Sequence, residues 1–542
     1  MRIPTTWALF TIIATGLAVA VYAQSDTTIL SGKQPPQSFY LHPESGTSPM
    51  LRSQTTRSTT IPARLRLLGV RVPVAGEAPA IELRFAVLDS SGNAIIGISD
   101  TTYQQWETHL VTADGYQYRD SVTPTLRSSV WITARLRVAL VLEHSLISAP
   151  YRLLLAQALN AFRTALGPYD SLSIIGAGVQ PKLLVPMTLR DSLPIDLAQV
   201  AQQIPFTGVN RLSYGILAAL EEAAPSVVIV LTACDDHASL DVVTRDIIEK
   251  AIRDNTRVYT IAIGDNIETG PLELIAAHTG GAFYRFYTTY PEQLRSAVHE
   301  IIRGEQVAST AVFSLPTSVQ VVTNGGCILT LRCRYAGTTL SDSLTLPPSS
   351  ALNPTRQILA VFSERSSALD PTTAPIIEAL AELLRSNPAQ AIELVGHSFK
   401  EGTPTQQAAL AVRRARAVKD AIVAAGISAK RIRIRAMGDL KPLYPAAETP
   451  TELAFNRRVE LRWLDPSLLP YELVAGYTYS EQEALSMVQE WEQRGYRAYI
   501  EDVLLHGRAA LRIKLWGYAT RQEAIAAAND IARRYRAVIT IE

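Results

Sequence analysis

Apolar residues recur along the chain with two different periods, and the change of period divides it into segments. Residues 63–136 alternate apolar and polar side chains, most regularly at 81–88, which predicts half-buried β-strands. From residue 137 to 303, continuous apolar runs such as 138–142 alternate with stretches of helical period. Because such runs are typical of parallel strands buried on both faces, residues 137–303 predict a doubly wound α/β domain.

The alternating pattern returns at residues 304–350, and we expect this stretch to pair with residues 63–136 as a β-sandwich that flanks the α/β domain. Residues 355–464 follow with a β-α-β-α-β pattern. Residues 469–542 contain two similar strand–helix–strand halves, an internal repeat. The predicted fold class is therefore α/β and α+β, in several domains.

The amino terminus resembles an export signal. Arg2 and the apolar run at 7–21 precede a small-x-Ala site that ends at Ala23, so we predict a signal peptide over residues 1–23. The alternative is an uncleaved anchor, but the run is shorter than the ~20 apolar residues of a membrane span. Residues 24–62 are rich in Ser, Thr, Pro and Gln and predict a flexible linker. No later run reaches spanning length, so the mature protein is expected to lack a membrane span.

Charge and cysteine content exclude some classes of function. The 542 residues include 51 Lys and Arg against 50 Asp and Glu, so there is no overall basic field and we expect no nucleic-acid partner. Three cysteines are too few for a disulfide scaffold or a four-thiolate zinc site. Cys327 and Cys333 lie about 20 Å apart on one face of a predicted strand, and are expected to be buried free thiols. Cys234 follows an apolar strand and is expected to pack as well.

The α/β segment resembles von Willebrand factor type A domains through its strands at 138–142, 227–232 and 258–263. The resemblance implies Mg²⁺ bound by an Asp-x-Ser-x-Ser turn, a Thr and an Asp, a set of oxygen ligands that suits a hard cation.

Several of those oxygen ligands are missing from this chain. The turn reads Glu-His-Ser-Leu-Ile at 143–147, the Thr position is Val209 and the Asp position is Ala233. We therefore expect no cofactor and a module that contacts an unidentified envelope protein. The alternative is an irregular Mg²⁺ site built from Glu143, Ser145 and Asp235.

Residues 355–464 contain the motifs Ile-Glu-Leu-Val-Gly-His-Ser at 392–398, Leu-Ala-Val-Arg-Arg-Ala at 410–415 and Asn-Arg-Arg-Val-Glu-Leu at 456–461. Through these motifs the segment resembles the OmpA-like peptidoglycan-binding domain. The resemblance implies an Asp after Gly-His-Thr and an Arg in the next helix, which together clamp the zwitterionic diaminopimelate of the stem peptide.

The Arg of this clamp is present as Arg414. Helical spacing places it on one face with Leu410 and Val418, so we expect it to point toward the sheet edge, whereas Arg413 should face solvent. Phe399 stands at the Asp position, Ser398 replaces the Thr, and Glu401 is a candidate substitute for the Asp. Three alternatives stay open: a different ligand, weak binding, or a purely structural domain.

Residues 469–542 contain the motif Tyr-Glu-Leu-Val-Ala-Gly-Tyr at 471–477 and a second motif at 511–524. Through these motifs the segment resembles the SPOR domain, a ferredoxin-like β-α-β repeat that binds glycan strands stripped of stem peptides. Sugars stack on aromatic faces and bond to polar groups. The candidate glycan-binding residues are Tyr477, Tyr479, Arg512, Lys514 and Trp516. Alternation along the strand places Arg512 and Lys514 on an exposed sheet face, and the alternative is a solvated face without a ligand.

Together these resemblances imply a non-catalytic envelope protein in the periplasm of a diderm bacterium, associated with the wall or the outer membrane. The last two segments would bind peptidoglycan. Two alternatives are a metal-dependent adhesin and a peptidoglycan-modifying enzyme. The eight histidines show no His-x-x-x-His metal spacing, and the adjacent residues Glu143, His144 and Ser145 point to alternate faces of a strand and form no triad.

Overall fold

The computed structural model describes residues 55–56, 62–74, 77–97, 104–127, 135–264, 267–286, 291–315, 326–335, 337–348, 356–465, 471–505 and 508–541. The predicted signal peptide lies outside these residues, and so does nearly all of the predicted linker. The chain divides into two compact units. The first contains residues 1–132, 272–285 and 299–350, and the second contains residues 133–271, 286–298 and 351–542.

The described residues form strands and helices throughout. In chain order the strands are β1 Thr55–Thr56, β2 Arg64–Arg71, β3 Ala80–Leu88, β4 Ala94–Ile95, β5 Gln104–Thr112, β6 Gln117–Ser121, β7 Arg137–Glu143, β8 Ser171–Ala177, β9 Pro181–Leu189, β10 Val227–Thr232, β11 Arg257–Ile263, β12 Phe283–Phe286, β13 Ser309–Ser314, β14 Cys327–Tyr335, β15 Thr338–Leu346, β16 Gln357–Val361, β17 Ala391–His397, β18 Ile432–Gly438, β19 Arg458–Leu464, β20 Tyr471–Thr478, β21 Arg497–Leu505, β22 Arg508–Tyr518 and β23 Thr540–Ile541. The α-helices are α1 Arg152–Ala165, α2 Ala198–Gln203, α3 Leu212–Ala223, α4 Thr244–Arg253, α5 Gly270–Thr279, α6 Pro291–Val307, α7 Ala374–Ser386, α8 Pro404–Ala424, α9 Pro450–Asn456, α10 Glu481–Gln493 and α11 Arg521–Tyr535.

The first unit contains two sheets. One has the strand order β1-β4-β3-β13, with β2 also paired to β3, and the other has the order β15-β14-β5-β6. Each sheet thus combines strands from the two segments that were predicted to pair. The rings of Phe85 in β3 and Trp106 in β5 lie 5.0 Å apart and pack the two sheets together. The buried carboxylate of Glu305 pairs with Arg84 at 2.8 Å, so this core also holds a satisfied charge.

The second unit begins with an α/β domain, residues 135–271. Five of its strands run in the order β11-β10-β7-β8-β9, with β8, β7, β10 and β11 parallel and β9 antiparallel at the edge. β7 and β10 are buried along almost their whole length, as their continuous apolar runs predict. A 3₁₀ turn, Leu146–Tyr151, follows β7 at the carboxyl edge of this sheet.

Residues 356–464 form the penultimate domain, with a sheet in the order β16-β19-β17-β18. β17 and β18 are parallel, whereas β19 is antiparallel to β16 and β17. α8 starts at a capping box, in which the Thr403 hydroxyl accepts a hydrogen bond from the Gln406 backbone N–H at 3.3 Å. The Ser/Thr-x-x-Gln signature thus fixes where this long helix begins.

Residues 471–541 form the C-terminal domain. Its four antiparallel strands have the order β21-β22-β20-β23, which gives β-α-β-β-α-β connectivity with the first strand in the middle. Leu473, Ile513, Leu515 and Ile531 lie in the core that α10 and α11 cover. The internal repeat therefore corresponds to two strand–helix–strand halves in one sheet.

All three cysteines are buried free thiols, which confirms the prediction. Burial raises the pKa of Cys327 and of Cys333 to about 12. Within the described part of the chain, the helices are all too short or too polar to cross a membrane.

Candidate functional site

The helix that carries Arg414 lies unusually close to β17. A Cβ on Gly396 in β17 would come within 2.0 Å of the carbonyl oxygen of Ala411, so only glycine permits this approach. Arg414 is consequently 0% exposed, while its neighbour Arg413 is exposed. The predicted orientation of both side chains is confirmed.

All five N–H groups of the Arg414 guanidinium are used within the chain. Nε donates to the carbonyl oxygen of Ser366 at 2.9 Å. Nη1 donates to the His397 carbonyl at 3.1 Å and to Glu401 Oε2 at 2.7 Å. Nη2 donates to the Ser363 carbonyl at 3.1 Å and to Glu401 Oε1 at 2.7 Å. Glu401 thus occupies the bidentate position that a ligand carboxylate would need.

Glu401 is committed to this internal pair. Neither side chain of the pair is exposed, and Oε1 also accepts the backbone N–H of Arg365 at 2.6 Å. Burial raises the pKa of Glu401, but the hydrogen bonds from Arg414 and from the Arg365 backbone outweigh it and hold this pKa below its usual value. The expectation that Glu401 replaces the missing Asp as the partner of a ligand ammonium is wrong, because Glu401 is the counterion of Arg414.

Ser398 and Phe399 also face inward. Ser398 is 1% exposed, and its hydroxyl donates to the carbonyl of Gln407 at 2.9 Å. Phe399 is 6% exposed, and the ammonium of Lys400 lies 5.0 Å from its ring centroid. The cation over this ring is therefore a residue of the chain, and neither predicted side chain is presented to a ligand.

A cleft of about 580 Å³ opens next to the Arg414–Glu401 pair, and Arg457 lines it. Arg457 Nε lies 3.6 Å from Glu401 Oε1 and makes no hydrogen bond within the described residues. Its Nη2 lies 3.8 Å from Glu364 Oε2 at the same cleft. Arg457 belongs to the Asn-Arg-Arg-Val-Glu-Leu motif at 456–461, but no role was predicted for it. The only sequence feature that could have indicated a role for Arg457 was its position directly before β19, next to the buried Arg458.

Arg458 and Glu460 form an ion pair inside the sheet. Nε of Arg458 donates to Glu460 Oε1 at 2.8 Å, and both side chains are buried. Burial raises the pKa of Glu460, but the adjacent His397 ring and the charge of Arg458 lower it to about 2. This pair stabilises the fold and is not available to a ligand.

In the α/β domain, Glu143 and Ser145 lie together, and Asp235 makes a separate hydrogen bond. Glu143 is fully buried, and its carboxylate accepts the Ser145 backbone N–H at 2.5 Å and the Ser148 hydroxyl. The Asp235 carboxylate instead accepts the backbone N–H of Glu268. The carboxylates of the irregular Mg²⁺ site considered above are thus engaged in hydrogen bonds within the chain.

Cys234 occupies the space next to Ser145. Its Sγ lies 3.5 Å from the Ser145 hydroxyl and accepts a hydrogen bond from the Asn210 amide at 3.0 Å. A thiol buried in this way has its pKa raised well above the usual value, first by burial and then by the charge of Glu143. Over the residues that the structure describes, no three His, Cys, Asp or Glu side chains form a group able to hold a metal ion.

In the C-terminal domain, Lys514 and Trp516 lie on the predicted sheet face, but they are only 6% and 7% exposed. Trp516 packs with Ala391 and Leu464 of the penultimate domain in one apolar cluster. The exposure predicted for this part of the face is wrong, because the neighbouring domain covers it.

A buried charge network joins the same two domains. Glu472 accepts hydrogen bonds from Lys514 Nζ at 2.8 Å and from the Tyr499 hydroxyl at 3.0 Å. Arg433 in β18 also donates to Glu472, and its guanidinium lies 4.5 Å from the Tyr499 ring centroid. Lys514 is therefore neutralised at an interface between domains and is not free to bind a glycan.

The remaining predicted glycan residues are more open. Tyr477 and Tyr479 are 46% and 60% exposed. Arg512 is half-buried, and its Nε donates to Glu501 Oε2 at 2.8 Å. The two tyrosines thus keep aromatic faces in solvent, while the charge of Arg512 is largely balanced.

Comparison with known proteins identifies one segment of the chain. Residues 361–457 match the model of the OmpA family. The probable lipoprotein YiaD of Escherichia coli (strain K12) is 30% identical over 100 residues, 18% of this chain and 45% of YiaD. The peptidoglycan-associated lipoprotein of Legionella pneumophila is 31% identical over 102 residues, 19% of this chain and 57% of that protein. The chain spans about half the length of the curated relatives it matches.

Among solved structures, proximal thread matrix protein 1 from the mussel byssus is similar over 33% of this chain and 46% of its own, at 12% identity and a TM-score of 0.27. A likeness of this size supports no conclusion about function, so the von Willebrand factor type A resemblance stays a prediction. Residues 361–457 are an OmpA-family domain within a longer chain.

Proposed function

We propose that this chain is a non-catalytic protein of the bacterial periplasm that binds peptidoglycan through its penultimate domain. The OmpA-family match over residues 361–457 carries the proposal. The similarity to a peptidoglycan-associated lipoprotein supports it. The predicted signal peptide would deliver the chain to the wall or the outer membrane.

The cleft beside Arg414 supplies groups that suit a zwitterionic peptide end. Arg414 itself is not available, because Glu401 and three carbonyls use all of its donors. Arg457 is 11% exposed at this cleft, and its contacts with Glu401 at 3.6 Å and with Glu364 at 3.8 Å are longer than hydrogen bonds. We therefore assign the carboxylate of the stem peptide to Arg457 and its ammonium to Glu364, which is 58% exposed at the same cleft. Glu364 would then act in place of the Asp that is missing at Phe399.

Co-sedimentation of the full chain with purified sacculi tests this assignment. We expect the wild type to bind intact sacculi and to bind less to sacculi from which an amidase has removed the stem peptides. Arg457→Ala should lose most of this binding. Arg413→Ala is the matched control, because it removes an exposed arginine of the same domain and should bind normally.

The outcomes distinguish whether the chain binds peptidoglycan from whether Arg457 makes the contact. If the wild type sediments with neither wall preparation, the chain does not bind peptidoglycan and the proposal is refuted. If the wild type binds and Arg457→Ala binds equally well, the wall contact lies elsewhere and the role of Arg457 is refuted.

We propose that the C-terminal domain adds a weaker glycan contact, as its SPOR resemblance implies. The exposed rings of Tyr477 and Tyr479 support this role. Two weak modules on one chain raise its avidity for the wall without new contacts at either site. Tyr479→Ala should reduce sedimentation with stripped sacculi and leave thermal stability unchanged. Unchanged sedimentation would argue against the glycan contact.

We also propose that an envelope protein contacts the α/β domain at its edge strand. Leu183 and Leu189 on β9 and the nearby Ile195 are 45%, 55% and 88% exposed. Exposed apolar side chains on an edge strand favour protein contacts. A photo-crosslinker at Leu189 should give one discrete adduct in cells, and Ile195→Lys should abolish it. An adduct pattern that Ile195→Lys leaves unchanged would exclude this surface.

A further inference from the structure

The carboxyl edge of the α/β sheet is apolar where ligand oxygens were expected. Parallel α/β sheets normally bind ligands at this edge, in the loops that follow their strands. Here the loops contribute Ile147, Val209, Cys234 and Leu240, each less than a tenth exposed. These side chains share one continuous apolar core with residues of the penultimate domain, among them Ile358, Phe362 and Phe455.

Backbone and ring contacts join the two domains at the same place. The Ile358 backbone N–H at the start of β16 donates to the carbonyl of His237 at 3.0 Å. The ring of His237 lies 5.2 Å from the ring of Phe455 in α9. Burial, with the nearby charges of Arg356 and Arg458, lowers the pKa of His237 to about 3, so the ring is neutral at pH 7.

Two further contacts extend this interface. Gly208 faces Thr372 so closely that a Cβ on Gly208 would lie 3.0 Å from the Thr372 hydroxyl. Tyr444 of the penultimate domain packs against the apolar cluster that contains Cys234 of the α/β domain. Burial raises the pKa of Tyr444, and Cys234 and Asp235 raise it further. The interface therefore covers the loops after β7 and β10 together.

We infer that the carboxyl edge of the α/β domain is the docking surface for the penultimate domain of the same chain. Val209, which stands where a ligand threonine was expected, is apolar because this edge packs against a protein surface. A hard cation needs oxygen ligands, and the side chains that pack there from the penultimate domain, among them Ile358, Phe362 and Phe455, are apolar. The consequence is that the two domains behave as one body, and that an external partner of the α/β domain must use another surface.

Cleavage between the domains tests this inference in the full chain. A protease site inserted within residues 349–355 separates the first unit and the α/β domain from the last two domains. After cleavage of the wild type, verified on a denaturing gel, the two fragments should co-elute from a gel-filtration column under native conditions.

A single substitution at the interface should separate the fragments without changing the hydrophobic core of either domain. Thr372→Arg places a long charged side chain against Gly208, so we expect its cleaved fragments to elute separately, at least tenfold more weakly associated than those of the wild type. Thr405→Arg is the matched control, because Thr405 is exposed in the same domain. Its fragments should co-elute. Circular dichroism of the uncut variants checks that each has folded.

Two results would overturn the inference. Wild-type fragments that elute apart would show that the contact does not hold the domains together. Thr372→Arg fragments that co-elute as the wild type does would show that the association lies elsewhere. The inference does not depend on the proposed wall binding, since neither sacculi nor peptide enters the experiment.

Discussion

Replacing Glu401 with glutamine keeps the size of the side chain but removes the carboxylate that faces Arg414. The guanidinium stays buried and retains three carbonyl acceptors, those of Ser363, Ser366 and His397. It loses a bidentate, fully buried counterion with two contacts of 2.7 Å. Breaking such a pair by removing one partner costs about 3–5 kcal/mol. Because the three carbonyls remain, we expect the domain to lose about 3 kcal/mol of stability. At about 1.4 kcal/mol per factor of ten, the opening equilibrium would then rise roughly a hundredfold.

Hydrogen exchange of the full chain measures this loss locally, which matters because several domains need not unfold together. Amides in α8 should exchange roughly a hundredfold faster in Glu401→Gln than in the wild type. Glu382→Gln is the matched control, since Glu382 pairs with Arg385 in α7 but is 70% exposed. An exposed pair is worth about 0–1 kcal/mol, so its exchange should hardly change.

The stability that Glu401 contributes should fall as the pH is lowered. The pKa of Glu401 is lowered in the folded protein, so the folded state binds fewer protons than the unfolded state at acidic pH. Its contribution is complete above the unfolded value of 4.5 and is lost as pH falls through the lower folded pKa. The wild type should therefore lose α8 protection in acid more steeply than Glu401→Gln. If the variant exchanges within threefold of the wild type at neutral pH, the buried pair does not hold α8 and the reasoning is refuted.

Three other predictions rest on burial. Trp516→Ala should lower the stability of the C-terminal domain by about 3–5 kcal/mol, because it removes a buried apolar contact. The loss would appear as faster hydrogen exchange in β22. If wall binding falls while exchange in β22 stays the same, a glycan-binding role for Trp516 is favoured instead. Gly396→Ala should destabilise the penultimate domain by about 1–3 kcal/mol in thermal unfolding, because the added carbon meets Ala411; an unchanged melting temperature would contradict this packing. The three thiols should resist a disulfide reagent at pH 8 and react only after denaturation, because burial raises their pKa; rapid reaction of the native chain would contradict it.

Helical and strand periods predicted much of the local structure. The four-residue spacing around Arg414 gave its inward orientation, and the alternation around Cys327 and Cys333 gave two buried thiols. Helix α5 was not predicted, because buried apolar residues occupy most of its positions and leave no clear amphipathic period. The hydrophobic period shows which residues lie on the same face of a helix. A helix that is buried on most sides has apolar residues on every face, so its sequence shows no such period.

The partners of the site residues were harder to predict. Alternation placed Arg512 and Lys514 on one sheet face, yet it carries no information on which domain covers that face next to Trp516. Likewise, the pairing of Glu401 with Arg414 depends on the path of the loop between β17 and α8, which brings residues 13 positions apart into contact. Such long-range contacts follow from tertiary packing, which a single sequence does not display.

Titration calorimetry of the full chain with a purified muropeptide that carries a stem peptide measures directly whether the penultimate domain binds peptidoglycan through Arg457. We expect saturable binding to the peptide with free carboxylates. We also expect at least tenfold weaker binding after those carboxylates are amidated or after Arg457→Gln, with Arg413→Gln unchanged. Absence of binding, or equal binding to the free and amidated peptides, would contradict recognition of the wall through an arginine at this cleft.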